Sequence, residues 1–435
     1  MKIAVIGTGY VGLVSGACFS EFGVDVVCVD TDAGKIAALK DGRIPIFEPG
    51  LERIVETNAS ASRLTFSTDL AESVKGVDAV FIAVGTPSRR GDGHADLSYV
   101  HAAAREVARA LTDYAVIVTK STVPVGTGRD LQRIIKAERP DLEFDVASNP
   151  EFLREGSAIE DFLRPDRVVI GVETPRAEKV LRDLYRPLFL IQTPIVAMSI
   201  ETAELTKYAA NSFLALKIAY INEIANLCEA VGANVHDVSR AMGLDGRIGP
   251  KFLHPGPGFG GSCFPKDTRA FAQIGTEAGV SQYLIETVIR LNDARKSDMT
   301  DRIVAALGGE VAGKSVGILG LTFKPNTDDM RESPSLAIVP ALVAMGASVK
   351  AYDPAGMGEA RKLLPATVNY AESAYDAIDG SDICVVLTEW NEFRSLDPVR
   401  IKQHLRHPLM IDLRNIYDPQ DMRAAGLTYE SVGRP

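Results

Sequence analysis

The residues best suited to covalent chemistry lie in one stretch, Gly256-Pro257-Gly258-Phe259-Gly260-Gly261-Ser262-Cys263-Phe264-Pro265-Lys266-Asp267. Four glycines in six residues permit positive φ and close approach of backbone to a ligand. Cys263 follows, with Lys266 and Asp267 three and four residues beyond it. If a helical turn starts near Ser262, Cys263 and Asp267 share one face. A thiol near a cation and free peptide N–H groups favours the thiolate, the form that attacks electrophilic carbon. A Gly-rich turn around a buried structural cysteine is the alternative, and the loop alone does not decide between them.

Two further pairs have chemical potential. Lys207 and Asn211 are spaced i, i+4 within the run from Ser199 to Ala230, which has neither Gly nor Pro. Ala, Leu, Ile, Tyr and Phe recur there on nearly every side, which predicts a helix buried on several faces. At about 1.5 Å per residue it spans roughly 48 Å, enough to bridge two domains and offer apolar surface to a second subunit. A cation and an amide on one face of such a helix need partners. A developing oxyanion is one such partner; an internal salt bridge with a hydrogen bond is the other. Asn149-Pro150-Glu151-Phe152-Leu153-Arg154-Glu155 predicts a helix start, with Asn149 as cap and Pro150 at the first position. Glu151 and Glu155 then share a face, as general-base carboxylates or as solvated surface.

The elements that must position these groups begin at the N-terminus. Lys2 to Ile6 reads as a strand buried on both faces. Gly7-Thr8-Gly9-Tyr10-Val11-Gly12 follows, then a helix-like stretch from Leu13 to Phe22, a strand from Val24 to Val29, and Asp30. This is the dinucleotide fingerprint in its full context, with pyrophosphate expected at the helix N-terminus. Asp30 stands where a carboxylate takes the adenosine ribose hydroxyls. It would repel a 2′-phosphate, so NAD is expected rather than NADP. Lys35 could reach the same ribose. Strands at Ala79–Val84 and Ala115–Thr119 end in Gly85-Thr86-Pro87 and Lys120-Ser121-Thr122-Val123-Pro124. Ligands bind at the carboxyl ends of such strands, so both turns are candidate contacts on the nicotinamide side, or plain turns.

Strand–helix alternation restarts after Gly313, with strands at Ser315–Gly320, Ala347–Asp353, Asp382–Thr388 and Leu409–Asp412. This half reads as a second Rossmann-like unit without a complete GxGxxG, expected to bind a nucleotide-linked substrate rather than a second NAD. Lys324 and Arg331, in the polar loop after its first strand, could meet phosphate. The expected fold is therefore α/β: two Rossmann-like doubly wound domains joined by a long central helix. The expected boundaries are 1–197, 198–300 and 311–435. The net charge of −10 argues against a general nucleic-acid binder. Five scattered cysteines without CxxC spacing argue against a disulfide framework or zinc, and fit a reducing compartment. With neither a signal-peptide-like stretch nor an uncharged run of membrane-span length, a soluble cytoplasmic protein is expected.

Taken in order, these blocks resemble the UDP-glucose/GDP-mannose dehydrogenase family over essentially the whole chain. The resemblance includes Gly85-Thr86-Pro87, Ser121-Thr122-Val123-Pro124, Asn149 to Glu155, Glu204-Leu205-Thr206-Lys207-Tyr208-Ala209-Ala210-Asn211, Gly258 to Asp267 and Phe323-Lys324-Pro325. It implies two oxidations at one carbon: a primary alcohol of a nucleotide sugar becomes a carboxylate and two NAD are reduced. Cys263 is then the nucleophile, through a thiohemiacetal and a thioester. Lys207 and Asn211 stabilise the C6 oxygen. Thr122 and Asp267 position water or move protons, and Glu151 and Glu155 assist hydrolysis. The implied cofactor set is Gly7, Gly9, Tyr10, Val11, Gly12, Asp30, Lys35, Thr86, Pro87, Ser121, Thr122, Glu155, Lys266 and Arg331. The implied substrate set adds Phe152, Leu153, Lys251, Phe252, Leu253, Phe259, Gly260, Phe323 and Lys324 to Glu151, Lys207 and Asn211. Arg414, in the short Asp412-Leu413-Arg414-Asn415, supports the diphosphate end. Arg247 reaches into the other subunit of a homodimer. The Cys263 block resembles the branch that takes UDP-glucose; the GDP-mannose and UDP-N-acetylhexosamine branches are the alternatives. No metal is implied. A two-electron hydroxyacid dehydrogenase would leave Cys263 and the second half without a role. A binding-only NAD sensor would yield no NADH.

Overall fold

The computed structural model describes residues 1–87 and 95–435. The chain divides into two compact units, Met1–Ala210 and Asn211–Pro435. In the first, β1 (Lys2–Ile6), β2 (Asp25–Val29), β3 (Leu64–Ser67), β4 (Ala79–Ile82), β5 (Ala115–Thr119), β6 (Phe144–Ser148), β7 (Val168–Gly171) and β8 (Ile195–Met198) form one sheet. Its order is β3-β2-β1-β4-β5-β6-β7-β8, parallel except where β7 meets β6. Side chains alternate across the strands and fill two cores. Ile3 and Val5 join Leu13, Phe19 and Phe81 on one face. Ala4 and Ile6 join Val80, Ile117 and Leu131 on the other. Burial on both faces is why these strands read as continuous apolar runs. Strand order reverses between β1 and β4, which places a ligand crevice at the carboxyl ends of those two strands.

In the second unit, β9 (Ser315–Leu319), β10 (Ser348–Tyr352), β11 (Asn369–Tyr370), β12 (Ile383–Val386), β13 (Leu409–Asp412) and β14 (Thr428–Ser431) are all parallel. Their order, β11-β10-β9-β12-β13-β14, repeats the doubly wound pattern of the first six strands. The second Rossmann-like unit is thus present. Helices Phe264–Glu277 and Tyr283–Ala306 precede its sheet.

The long helix runs from Ile200 to Val231, 32 residues. Its burial corrects the expectation of several buried faces. Ala203, Glu204, Lys207, Tyr208, Asn211, Ser212, Ala215 and Ala219 form one buried stripe, whereas Leu205, Phe213, Tyr220 and Leu227 are exposed. Apolar residues all round a helix show that surface is to be covered, not that this one chain covers it. Among the described residues, no helix is long and apolar enough to cross a membrane.

Candidate active site

The glycines of the first turn have separate physical reasons. Gly7 has φ +101, and a Cβ there would lie 2.7 Å from the Ala83 carbonyl oxygen. A Cβ on Gly12 would lie 1.9 Å from the Gly7 carbonyl oxygen. The helix therefore starts at Tyr10, three residues earlier than expected, with Leu13 N donating to Gly9 O at 2.9 Å. Around Gly9, by contrast, a Cβ would meet nothing within 4 Å. Open space at a helix N-terminus suits a pyrophosphate. Asp30 closes β2 and accepts from Thr8 N (2.8 Å), Thr8 Oγ1 (2.7 Å) and Asp32 N (3.0 Å), with Lys35 Nζ 3.9 Å away. Burial alone would raise the Asp30 carboxyl; these hydrogen bonds and Lys35 outweigh it and hold the group below the usual carboxylate range. The turn therefore fits a dinucleotide whose ribose meets an anion. Asp30→Ala is expected to raise the KM for NAD about 10- to 100-fold, the worth of a hydrogen bond to a charged group, and to narrow the gap to NADP. Steady-state kinetics with both cofactors checks this; a wild-type protein using them equally would contradict the placement of Asp30.

The turns after β4 and β5 are stitched together. Thr86 Oγ1 donates to Thr122 O at 3.0 Å, and Ser121 Oγ to Val84 O at 2.6 Å. Thr86, Pro87, Ser121 and Thr122 thus occupy the carboxyl ends of adjacent strands, beside the first crevice.

The segment after β6 is not the helix its sequence suggests. Residues 149–154 are irregular and the helix is Ala158–Leu163. Asn149 caps nothing. Its Nδ2 donates to Val169 O (2.8 Å), and its Oδ1 accepts from Lys120 Nζ (3.0 Å) and Tyr185 Oη (2.6 Å). An amide used up by β7 and a buried lysine cannot also cap a helix. Glu151 and Glu155 therefore share no helix face. Glu151 is buried: Oε2 accepts from Leu153 N (2.5 Å) and Oε1 from Lys207 Nζ (3.0 Å). Phe152 lies 5.2 Å from Lys207 Nζ and 3.6 Å from the Arg167 guanidinium carbon. Leu153 packs on the core, and Glu155 sits in the turn before Gly156. So the first unit joins Glu151, Phe152 and Lys207 across 56 residues of chain. Burial pushes the Lys120 amine down to about 7, with Glu151 opposing the shift and Lys207 adding to it.

In the second unit Cys263 is the N-cap of the Phe264–Glu277 helix. Asp267 N donates to Cys263 O at 2.8 Å, so the two are one turn apart as expected. Both Asp267 oxygens are engaged: Oδ2 by Asn211 Nδ2 at 2.6 Å and Oδ1 by Lys266 Nζ at 2.8 Å. Gly260 and Gly261 explain the loop's composition. A Cβ on Gly260 would lie 2.4 Å from Glu332 O, and one on Gly261, at φ +84, would lie 2.7 Å from the Phe323 ring. Gly261 N donates to Arg331 O at 2.7 Å. The cysteine loop thus lies directly on the 323–332 loop.

Other expected residues gather there. Lys324 Nζ stands 5.3 Å from the Phe323 ring. Arg414 donates to Leu387 O (2.7 Å) and Phe323 O (2.9 Å), and its Nε is 3.1 Å from Glu389. Phe259 and Phe252 pack on Phe264, with Phe252 at φ +66; Leu253 is buried and Lys251 exposed. Arg331, expected at the cofactor, has its guanidinium on Asp329 of its own loop, two bonds of 2.8 Å. Arg247 is not brought to the group within the second unit. It pairs with Asp245, and its side chain is 89% exposed.

Several participants had no clear sequence signal. Asn292 Oδ1 accepts from Phe259 N (2.8 Å) and its Nδ2 donates to Phe259 O (3.0 Å), gripping the loop as a neighbouring strand would. Asn222 and Arg295 hold Gly256 N and O at 2.9 and 3.0 Å. The available clue was a polar or charged residue on the buried face of its helix. The second switch point is also different from the first. A Cβ on Gly320 would lie 2.4 Å from Thr388 Cβ. Asp353, the counterpart of Asp30, takes six donors from Leu321, Thr322, Ala355, Gly356 and Trp390. A carboxylate so saturated has no capacity for ribose hydroxyls. Among the described residues, no group of three or more His, Cys, Asp or Glu could hold a metal.

Comparison with known proteins agrees with this arrangement. Residues 1–189 match the NAD binding domain of the UDP-glucose/GDP-mannose dehydrogenase family, residues 201–294 its central domain, and residues 317–419 its UDP binding domain. A UDP-glucose 6-dehydrogenase of Rhizobium meliloti is 58% identical, with all of both chains covered. UDP-glucose 6-dehydrogenase TuaD of Bacillus subtilis is 50% identical over all of this chain and 93% of its own. The solved UDP-glucose dehydrogenase of Pyrobaculum islandicum superposes with a TM-score of 0.92 at 41% identity, over all of this chain and 98% of the other. With a dinucleotide turn, a helix-capping cysteine and these matches in order along its length, the chain belongs to the UDP-glucose/GDP-mannose dehydrogenase family.

Proposed function

We propose that the protein oxidises C6 of UDP-glucose to the carboxylate of UDP-glucuronate in two steps. The observation that carries this reading is Cys263 at a helix N-terminus, one turn from an Asp267 held by Asn211 and Lys266. Bound NAD supplies the acceptor for each of the two hydrides. Water positioned by Thr122 and Asp267 takes the C6 hydroxyl proton, and Lys207 with Asn211 stabilises the alkoxide. The first hydride leaves an aldehyde. The Cys263 thiolate adds to its carbon and the oxygen takes a proton, giving a thiohemiacetal. That proton and the second hydride then leave, giving a thioester. Glu151 or Glu155 activates a water that cleaves the C–S bond and restores the thiolate. One water is consumed and two NADH form per sugar. Phe323, Lys324 and Arg414 hold the nucleotide, and Arg331 and Lys266 serve the cofactor side.

The division into 1–197 for NAD, 198–300 for the central helical region and 311–435 for the UDP-sugar is part of this reading. So are a homodimer and a cytoplasmic location. Supporting the dimer are the exposed Leu205, Phe213, Tyr220 and Leu227 of the long helix and the solvent-facing Arg247. Supporting a reducing compartment are the five cysteines, none of which forms a disulfide among the described residues. The test of substrate is a panel of UDP-glucose, UDP-galactose, UDP-N-acetylhexosamines and GDP-mannose with NAD, counting NADH. UDP-glucose is expected to give two per sugar and to lead the panel. For the dimer, Arg247→Ala and Cys263→Ala subunits, each inactive for acid formation, are expected to regain activity when mixed, because each heterodimer rebuilds one site. No recovery on mixing would place Arg247 outside the partner's site.

A further inference from the structure

Glu48 lies in the connection before the Leu51–Ser60 helix and is 3% exposed. A carboxylate this buried needs donors, and it has three from two distant parts of the first unit. Tyr10 Oη, in the first turn of the cofactor helix, donates to Oε2. Gly156 N donates to the same oxygen at 2.6 Å, and Ala158 N donates to Oε1 at 2.8 Å. Gly156 N is also 3.1 Å from Tyr10 Oη, closing a triangle. Ala158 begins the Ala158–Leu163 helix, and the local cap position, Ser157, makes no side-chain cap bond. Glu48 is thus a cap supplied from more than a hundred residues away.

The same short helix also holds the substrate-side loop, through Asp161 in its first turn. Asp161 accepts from Arg154 N at 2.8 Å and pairs with the Arg154 guanidinium at 2.6 Å. Arg154 stands between Phe152 and Glu155, within the loop that also bears Glu151. The backing is firm: Leu51 and Ile54 share one core with Ala158 and Phe162. A continuous set of contacts therefore runs from the cofactor turn through Tyr10, Glu48, Ala158–Leu163 and Arg154 to Glu151 and Glu155.

We propose that Glu48 is a positioning residue that couples the dinucleotide turn to the Glu151–Glu155 loop, so that cofactor and sugar nucleotide bind cooperatively; this rests on the assignment of those two segments to NAD and to the sugar. A ligand that settles the Tyr10 turn orders Glu48, and Glu48 sets the register of Gly156 and Ala158. The reverse must hold to the same factor, since coupling between two binding equilibria is reciprocal. Burial and then Glu48 itself hold the Tyr10 hydroxyl protonated, far above its ordinary pKa, so it stays a donor throughout.

The measurement is NADH fluorescence titration with and without UDP-glucose, a pair that cannot turn over because both are reduced. In the wild type, UDP-glucose is expected to tighten NADH at least about fivefold, within the usual range for such coupling. Glu48→Gln and Tyr10→Phe are each expected to bring that factor to within about twofold of one, and the double variant to go no further. Tyr10→Phe removes one hydroxyl and leaves both backbone donors on Glu48, so it keeps the question open should Glu48→Gln fold poorly. A coupling factor that survives in Tyr10→Phe, or that is absent from the wild type, overturns the proposal. Failure of the functional reading is separate: it would appear as no NADH from wild-type protein with NAD and UDP-glucose.

Discussion

Purified Cys263→Ala is expected to form no acid from UDP-glucose while still reducing the corresponding nucleotide-sugar 6-aldehyde with NADH. The first oxidation needs an alkoxide and groups that stabilise it. In the proposed mechanism Lys207 and Asn211 supply that stabilisation, and neither is the thiol. The second oxidation differs, because an aldehyde carbon has a hydride to give only after a nucleophile has added to it. In the proposed mechanism covalent attachment to Cys263 also keeps that carbon in place between steps. Net turnover should fall at least about a hundredfold, or roughly 2.7 kcal/mol of barrier. Cys263→Ser should fail later, at hydrolysis, because an oxygen ester is cleaved more slowly than a thioester and accumulates on the protein, where intact-mass measurement finds it. Direct oxidation of a hydrated aldehyde, with Cys263 only packing its loop, predicts two NADH per sugar from the alanine variant at near wild-type rate. Measuring acid, NADH and aldehyde reduction in one preparation separates the two mechanisms.

Lys207→Met is expected to lower the rate of the first oxidation by about a thousandfold, the upper range for removing one preorganised oxyanion donor. It should also destabilise the fold. Lys207 and Glu151 are 3.0 Å apart, with side chains 3% and 6% exposed. Removing one partner of a buried ion pair strands the other and costs about 3–5 kcal/mol. The two effects separate in Lys207→Met/Glu151→Gln, which no longer buries a stranded charge. Thermal or denaturant unfolding should recover most of the lost stability in the double variant, while the first step, read in reverse as reduction of the 6-aldehyde by NADH and so apart from any hydrolytic role of Glu151, stays slow. If the double variant regained near wild-type aldehyde reduction, Lys207 would be a structural partner of Glu151 and not the group that meets the C6 oxygen.

Both predictions depend on pairings that local sequence does not contain. Lys207 and Glu151 are 56 residues apart, as are Asn211 and Asp267. The i, i+4 spacing of Lys207 and Asn211 was visible, and so was their need for partners. Which carboxylate each would find was not. The expected helix at Asn149 failed for the same reason. Asn-Pro-Glu satisfies every local rule for a helix start, but Val169 and Lys120 claim the asparagine amide first. Glu151, singled out from sequence, is buried against Lys207, and the supposed common helix face of Glu151 and Glu155 was wrong.

The doubly wound sheets, the first turn and the cysteine at a helix start were legible because their causes are local. A strand buried on both faces must be apolar throughout, a backbone meeting pyrophosphate must be glycine, and a helix start has its own signature within a few residues. Tertiary structure decided the rest: that Asp353 is saturated where Asp30 is not, that Asn292 and Arg295 hold the cysteine loop, and that Glu48 caps a helix 110 residues away. A buried polar atom must be satisfied, but any donor or acceptor of the right geometry will do, and only the folded chain brings one within 3 Å.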